Sequence, residues 1–431
     1  MRLENSLGWI VVLLCGSTLF SSSNAIAQER WYKGNLHTHS LWSDGNDFPE
    51  MIAKWYVEHD YQFLALTDHN ILSEGERWMK VQQIDKRGGK DALRKYLDAM
   101  GDAWVETRMQ AADDPKSKEV RLKTLKEFRG KFEKAGEFLM IPGEEISDQV
   151  NGLPIHMNAT NLVELIRPAG GSSVQESIRA NMRSAIEQAK STSREILVHL
   201  NHPNFGWAVT AEDIAGVLEE NFFEVYNAHP SVNQLGDKKR PGLEKIWDIA
   251  NTLRIDKLKA PPLLGLATDD SHNYHGRPGS QPGRGWIMVK AEKLEPDSIV
   301  RAIKAGSFYA SSGVTLNEIQ WDPKTNRLDI EIQPVAGHTF TTRFIGTPSD
   351  YDTTSQPQRN ADGEVVSGTR VYSKDVGKTF STQVGVSPSY QLTGKELYVR
   401  AVITSSAKHP NPSFADQLQQ AWVQPVMPNN D

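Results

Sequence analysis

Short apolar runs alternate with longer amphipathic stretches over most of the chain. Each run is about four to six residues long, the length of a buried strand. The stretches between them, such as Pro49–His59 and Ser177–Ser191, carry apolar residues at helical spacing. This alternation predicts an α/β barrel or a wound sheet, in which ligands bind at the carboxyl ends of the strands. The predicted strands of this part are Phe63–Thr67, Phe138–Pro142, Ile196–Leu200, Phe222–Tyr226 and Leu263–Thr268.

The pattern changes in two further regions of the chain. Residues 74–136 are densely charged and predict a helical insertion, either a lid over the site or solvated helices with no further role. Residues 28–313, which include this insertion, form the predicted α/β unit. Residues 314–431 predict a small, sandwich-like, all-β module because alternating strands are separated by turn residues. Its predicted strands are Ile330–Pro334, Gly337–Phe344, Val371–Lys374 and Leu397–Ile403.

Residues 1–27 have the layout of a secretory signal peptide. Arg2 precedes an apolar run from Trp9 to Phe20, and Ala25-Ile26-Ala27 supplies a small-x-small cleavage site. The run of about 12 residues is shorter than the roughly 20 that span a bilayer. We therefore expect a periplasmic or secreted protein without stable membrane insertion after signal removal, the alternative being an uncleaved anchor. The only cysteine, Cys15, would leave with the signal, which excludes disulfides and cysteine nucleophiles.

The composition permits a packed core and argues against a nucleic-acid partner. Of the 431 residues, 38% are hydrophobic and 24% charged, with a formal net charge of −6 and no basic stripe. The length exceeds one ordinary domain, but a barrel of about 250 residues and a smaller module account for it.

Histidine and carboxylate residues follow six of the extended segments. Ten of the twelve histidines lie between His37 and His275, which places the chemistry in the first unit. A single histidine of this kind is usually a hydrogen-bonded core residue, but that does not explain six strand ends in register. Nitrogen and oxygen ligands without sulfur suit zinc, manganese or iron, and more than four of them predict more than one ion. The candidates are His37, His39 and Asp44; Asp68 and His69; Glu144 and Glu145; His156; His199 and His202; and Asp269, Asp270 and His272.

These motifs resemble those of the PHP (polymerase and histidinol phosphatase) superfamily, in its secreted branch of CehA/McbA-like hydrolases. The resemblance implies a distorted (β/α)7 barrel of PHP type that holds two or three divalent metal ions (Zn, Mn or Fe) at its carboxyl-end mouth. The matching motifs, in the family's order, are Leu36-His37-Thr38-His39-Ser40, Ser43-Asp44-Gly45, Leu66-Thr67-Asp68-His69-Asn70, Pro142-Gly143-Glu144-Glu145-Ile146-Ser147, Asn201-His202-Pro203 and Thr268-Asp269-Asp270-Ser271-His272.

The resemblance also implies a set of metal ligands. The first ion would be held by His37, His39, Glu145 and Asp270; the second by Glu145, as a bridge, with His156 and His202; and the third by Asp44, His69 and His272.

Three of these assignments have a neighbouring competitor. Glu145 is preferred to Glu144 because it stands two residues before Ser147, as the ligand of the resembled family does, and His202 to His199 because a proline follows it. Of Asp269 and Asp270, only Asp270 has Asp-x-His spacing.

Such a site predicts a metal-dependent hydrolase in which a metal-bridging hydroxide attacks a phosphate mono- or diester. His229, after a predicted strand, is expected to contact the substrate or protonate its leaving group. Arg277 and Arg284 are expected to hold phosphate oxygens. Two alternatives stay open: a carboxylic or carbamic ester hydrolase on the same metal site, and a metal-holding binding protein without turnover. The expected partner is a small-molecule ester substrate.

Overall fold

A computed structural model describes residues 29–112, 114–360, 362–366 and 368–429. The predicted signal peptide and its cleavage site therefore lie outside the described residues. Within these ranges, no helix is long and apolar enough to cross a membrane.

Strands make up most of the regular structure, and many of them join one large sheet. They are β1 (Arg30–Asn35), β2 (Phe63–Leu66), β3 (Arg77–Lys80), β4 (Thr107–Met109), β5 (Lys118–Leu122), β6 (Leu139–Val150), β7 (Leu153–Thr160), β8 (Leu197–Leu200), β9 (Phe222–Asn227), β10 (Leu264–Thr268), β11 (Trp286–Ala291), β12 (Phe308–Ser311), β13 (Leu316–Asp322), β14 (Arg327–Ile332), β15 (Phe340–Pro348), β16 (Ser355–Gln356), β17 (Val371–Tyr372), β18 (Lys378–Val384), β19 (Ser389–Gln391), β20 (Glu396–Lys408) and β21 (Leu418–Val426).

The helices lie between the strands of the first unit. They are α1 (Pro49–Glu58), α2 (Val81–Gly88), α3 (Ala92–Met100), α4 (Leu125–Phe132), α5 (Val174–Thr192), α6 (Ala211–Gly216), α7 (Leu243–Thr252) and α8 (Pro296–Lys304), with short 3-10 turns at Pro115–Ser117 and Phe205–Trp207 and a π turn at Leu253–Lys257.

The predicted α/β organisation of the first unit is confirmed. Each of its five predicted strands coincides with a strand, and the two predicted helices coincide with α1 and α5. Helix α1 begins at Pro49, where the fixed φ of proline suits the first helical turn. At the start of α5, the Ser173 hydroxyl accepts a hydrogen bond from the Glu176 N–H.

The large sheet is mixed and open. Its strand order is β10-β9-β8-β7-β6-β2-β1-β11-β12-β21-β20-β15-β18. Pairing is parallel between β1 and β2, β2 and β6, β8 and β9, and β9 and β10, and antiparallel elsewhere. The predicted (β/α)7 barrel is therefore not shown, because β10 forms an edge of the described ladder and does not pair along its length with β1.

The sheet nevertheless curls until the residues just after its edge strand β10 reach those just after β1. Tyr32 of β1 and Leu266 of β10 belong to the same buried apolar cluster. Just beyond the two strands, Thr38 and Ser271 form an isolated parallel bridge, and the His39 N–H donates to the Ser271 carbonyl at 2.9 Å. The carboxyl ends of the strands thus converge without a closed ladder.

The sequence predicted a helical insertion at residues 74–136, but the insertion is only partly helical. Besides α2, α3 and α4 it contains a separate antiparallel sheet of order β3-β5-β4. The Val120 and Leu122 side chains of β5 are buried in an apolar cluster with Trp42. Trp42 also donates from Nε1 to the Lys123 carbonyl at 3.1 Å, and Arg87 donates to the Ser43 carbonyl at 2.6 Å. The insertion therefore fixes the turn that carries Asp44.

The C-terminal strands extend the large sheet beyond β12, which pairs with β21. A smaller sheet, β13-β14-β19, accompanies them. A buried ion pair joins the two parts of the chain: Arg400 of β20 donates from Nε and Nη2 to the Asp248 carboxylate of α7, both at 2.8 Å. Because both residues are at most 3% exposed, each charge depends on the other for compensation.

We predict that Asp248→Ala destabilises the protein by about 3–5 kcal/mol, because the Arg400 guanidinium would stay buried without its carboxylate. Chemical denaturation measures the change. Asp98→Ala, which removes an exposed partner of Arg94, is the control and should cause little loss. Equal effects of the two substitutions would contradict the assignment.

Candidate metal centre

The strand ends bring histidine and carboxylate side chains into one cluster. It contains four overlapping groups, and within each group the candidate ligand atoms lie within 4.8 Å of one another. All nine predicted ligands belong to at least one group, while ligation itself stays a prediction. The groups are His39, Asp44, His69 and His272; His37, His202 and Asp270; His37, His39 and Glu145; and His69, Glu145 and His156.

This grouping differs from the predicted ligand sets in three respects. His39 joins the outer group with Asp44, and His202 joins His37 and Asp270. His69 also joins Glu145 and His156. The sequence motifs identify which residues meet, but the pairing within the cluster depends on how the strand ends are staggered.

The inner side chains are spaced as ligands of a shared ion. His37 Nε2 lies 3.1 Å from His39 Nε2, and Asp270 Oδ1 lies 3.3 and 3.2 Å from these two nitrogens. The contact of His37 Nδ1 with Glu224 at 2.7 Å assigns the imidazole proton to Nδ1, so that Nε2 presents its lone pair. Two nitrogens bound to one zinc ion at about 2.0–2.1 Å would themselves be about 3–3.4 Å apart. The donor set therefore fits a divalent ion.

Burial keeps His39 in the form that binds metal. The side chain is fully buried, and burial together with the neighbouring His272 lowers the pKa of His39 to about 3. A neutral imidazole needs to lose no proton when an ion arrives.

Glu145 lies between the groups and is completely buried. Its Oε1 is 3.1 Å from His156 Nδ1 and 3.4 Å from His202 Nε2. Its Oε2 has no hydrogen-bond partner among the described residues, although it lies 3.6 Å from His39 Nε2 and 2.6 Å from His69 Nδ1 in non-hydrogen-bonded geometry. Because its two oxygens face ring nitrogens of different groups, the Glu145 carboxylate could be shared by two ions.

The outer group is more accessible. The Asp44 side chain is 53% exposed, and its two oxygens lie 3.3 Å from His272 Nε2 and 3.5 Å from His69 Nε2. Although burial opposes the charged imidazole, the carboxylates of Glu145 and Asp44 raise the pKa of His69 to about 11. An ion entering this group would therefore displace a proton from His69.

Of the competing residues, Glu144 and Asp269 have other partners. Glu144 accepts from the Ile166 N–H at 2.6 Å, and burial raises the pKa of its carboxyl to about 8. Asp269 accepts the N–H groups of residues 283, 284 and 285 and the Tyr56 hydroxyl. His199 is fully buried below the cluster and belongs to none of the four groups.

Sequence reasoning missed the residues that orient the candidate ligands. The Asn201 amide donates to Glu145 Oε1 at 2.8 Å, and Ser147 Oγ lies 2.6 Å from His69 Nδ1. Both stand within motifs at strand ends, which is the signal that could have identified them. Glu224, which contacts His37, gives no such signal because it lies inside β9.

Two candidate ligands have left-handed backbone conformations. The φ angle is 22° at His202 and 45° at Asp270. Non-glycine residues rarely adopt this region, and such strain is concentrated at functional sites.

The three predicted substrate-contacting residues separate into two kinds. His229 lies beside the cluster, with its ring centroid 5.4 Å from that of His272. Arg277 donates to the carbonyls of Lys86 and Arg87, and Arg284 to the Gly279 carbonyl and the Asn411 side chain. These hydrogen bonds direct both guanidinium groups to partners outside the nine-residue cluster.

Comparisons with known proteins give distant structural similarities. No family model and no curated protein matches the chain. A two-domain protein from Bacteroides vulgatus containing a predicted PHP-like metal-dependent phosphoesterase aligns with a TM-score of 0.38 and 15% identity, over 92% of this chain and 95% of that one. A protein from Bifidobacterium adolescentis, proposed to be a metal-dependent phosphoesterase, aligns with a TM-score of 0.30 and 12% identity, over 63% and 95% of the two chains. Scores this low assign neither fold nor function.

We predict that zinc, manganese or iron added to the chelator-treated protein raises its thermal unfolding midpoint, because the folded cluster binds ions that the unfolded chain does not. At 100 times the dissociation constant the stabilisation is about 2.7 kcal/mol per site. His39→Ala should reduce both the shift and the bound metal, because His39 belongs to two groups.

His59→Ala is the matched control, since His59 stacks on Trp55 and lies outside the four groups. Absence of bound metal and of any shift with all three ions would contradict a metal centre.

Proposed function

We propose that this chain is an exported, metal-dependent phosphoesterase of the PHP superfamily, in its CehA/McbA-like branch, acting on a mono- or diester. The observation that carries the proposal is the cluster of nine His, Asp and Glu side chains, with the buried Glu145 shared between two of its groups. Divalent ions held there would supply Lewis-acid polarisation of an ester and a water of lowered pKa. The motif resemblance supports the family, and the apolar run with its small-x-small site supports export.

His229 is suited to donate a hydrogen bond to a leaving group. Its Nδ1 accepts a hydrogen bond from the Ser231 N–H at 3.1 Å, which assigns the proton of the neutral ring to Nε2. Burial lowers the pKa of His229, so the neutral form is favoured. The Nε2–H group is then a hydrogen-bond donor at the edge of the cluster.

A second candidate function is hydrolysis of a carboxylic or carbamic ester. Two observations favour it. The Arg277 and Arg284 guanidinium groups donate hydrogen bonds to partners outside the cluster, and neither of these bonds is directed at the candidate metal groups. The Phe205 ring lies with its centroid 5.2 Å from that of His202 and 6.4 Å from those of His156 and His229, and forms an apolar wall suited to an aryl or alkyl group.

Turnover of three substrates by the metal-loaded protein distinguishes these functions. We expect hydrolysis of p-nitrophenyl phosphate or of its bis-ester, abolished by Asp270→Ala, which removes an inner carboxylate, and kept by the His59→Ala control. Hydrolysis of a naphthyl carbamate alone would replace the phosphoesterase by the second function. A metal-loaded protein that hydrolyses none of them would favour a binding role without turnover.

We predict that His229→Ala lowers kcat by about 10²–10³-fold for a phenyl ester, because the strongly basic oxygen of its leaving group depends on the hydrogen bond from His229 Nε2–H. The loss should be much smaller for the p-nitrophenyl ester, because its leaving group departs readily as an anion. Bound metal, measured in parallel, should stay at the wild-type level. Equal losses for the two esters would contradict a hydrogen bond from His229 to the leaving group.

A further inference from the structure

We propose that Glu224 is a positioning residue for the group His37, His202 and Asp270, and that it sets the metal affinity of that group. The inference rests on the proposed metal centre. It extends that centre to a carboxylate inside the sheet, below the candidate ligands.

Glu224 is a buried carboxylate with an unusually complete set of donors. It is 0% exposed and lies on β9, inside the curled sheet. Oε1 accepts from the Thr268 hydroxyl and from His37 Nδ1, both at 2.7 Å. Oε2 accepts from the His202 N–H at 2.8 Å and from the Asn227 amide at 2.7 Å. Burial alone would raise its pKa, but the neighbouring His37 and His199 lower it.

These hydrogen bonds reach all three members of one metal-binding group. His37 is held through its ring and His202 through its backbone N–H. Asp270 is held indirectly, because the Asn227 amide that donates to Glu224 also lies 3.1 Å from Asp270 Oδ2. One side chain thus sets the direction of a nitrogen ligand, the turn carrying a second ligand, and the rotamer of a third.

The carboxylate is needed because all of its partners are donors. At His37, acceptance by Oε1 fixes the proton on Nδ1 and leaves Nε2 free for an ion, and it makes the imidazole a stronger ligand. In Glu224→Gln one oxygen becomes an NH₂ group, which cannot accept. Whichever way the amide turns, either His37 and Thr268 or His202 and Asn227 lose their acceptor.

Zinc binding to the full-length mature chain tests the proposal. Competition with a chromogenic chelator gives the successive affinities, and the metal content after dialysis gives the number of ions. We expect Glu224→Gln to weaken one binding step by about 10–100-fold, as loss of a ligand-orienting partner does. The steps that belong to the outer group with Asp44 should keep their affinity.

Glu220→Gln is the matched control. Glu220 is likewise 0% exposed, accepts from the Phe222 N–H at 2.8 Å and has a pKa raised by burial to about 8. It belongs to none of the metal-binding groups. Any general effect of replacing a buried carboxylate by an amide should appear in both variants, whereas the loss of zinc affinity should appear only at Glu224.

Asn227→Ala provides a second test that keeps the Glu224 carboxylate. It removes the amide between Glu224 and Asp270, and it should weaken the same binding step by about tenfold. This variant decides the question if Glu224→Gln does not fold.

The outcomes separate the two proposals. If Glu224→Gln folds and binds zinc with wild-type affinity, the positioning role is overturned and the metal centre stands. If only Asn227→Ala folds, wild-type zinc affinity in that variant has the same meaning. An equal loss in Glu220→Gln would overturn it as well. A wild-type chain that binds no zinc, manganese or iron would overturn the metal centre and this inference together.

Discussion

Five imidazoles surround one buried carboxylate, and most of the local structure depends on that arrangement. Histidines from several strand ends place ring nitrogens within 3.6 Å of Glu145 oxygens. An isolated charge at full burial would be strongly disfavoured, so a fold that places Glu145 there must bring its partners with it. The converging strand ends supply these partners without a closed barrel, because the bridge between Thr38 and Ser271 joins the edge strand to the region just after β1.

Each strand end uses adjacent polar residues for opposite purposes. Successive side chains of an extended segment point to opposite faces, so the neighbour of a candidate ligand points away from the cluster. Asp68, Glu144 and Asp269 occupy these positions, and each carboxylate accepts backbone N–H groups of the surrounding loops. The Asp-His, Glu-Glu and Asp-Asp pairs in the motifs therefore combine one residue that faces the cluster with one that holds the supporting loop.

The strands of the first unit and the membership of the cluster could be predicted because both have local signals. Strands buried on both faces are continuous apolar runs, and a titratable residue directly after such a run must lie at the mouth. The sheet within the insertion could not be predicted in this way. Three of the five residues of strand β5 (Lys118–Leu122) are charged. Its two apolar side chains are buried in a cluster with Trp42, which lies far away in the sequence.

The contacts of Arg277 and Arg284 were equally beyond prediction. Their position after the last motif is compatible with a phosphate clamp, but the structure brings acceptor carbonyls and Asn411 within reach of them. Asn411 lies far along the chain, in a loop that follows β20. A guanidinium binds whichever acceptors the tertiary structure offers, and the sequence near an arginine does not specify them.

The inner and outer groups of the cluster are held by different parts of the protein, so they can differ in how tightly they bind an ion. Below the inner group, hydrogen bonds within the curled sheet hold His37 through Glu224, where water has no access. Beside the outer group, the insertion holds the turn of Asp44 through Arg87 and Trp42, and the Asp44 side chain stays half exposed. A rigid, dry environment favours tight and permanent binding, whereas an exposed carboxylate on a turn permits exchange. The motifs at the strand ends can thus build two neighbouring sets of candidate ligands. One set is fixed by the core of the sheet, and the geometry of the other depends on the insertion.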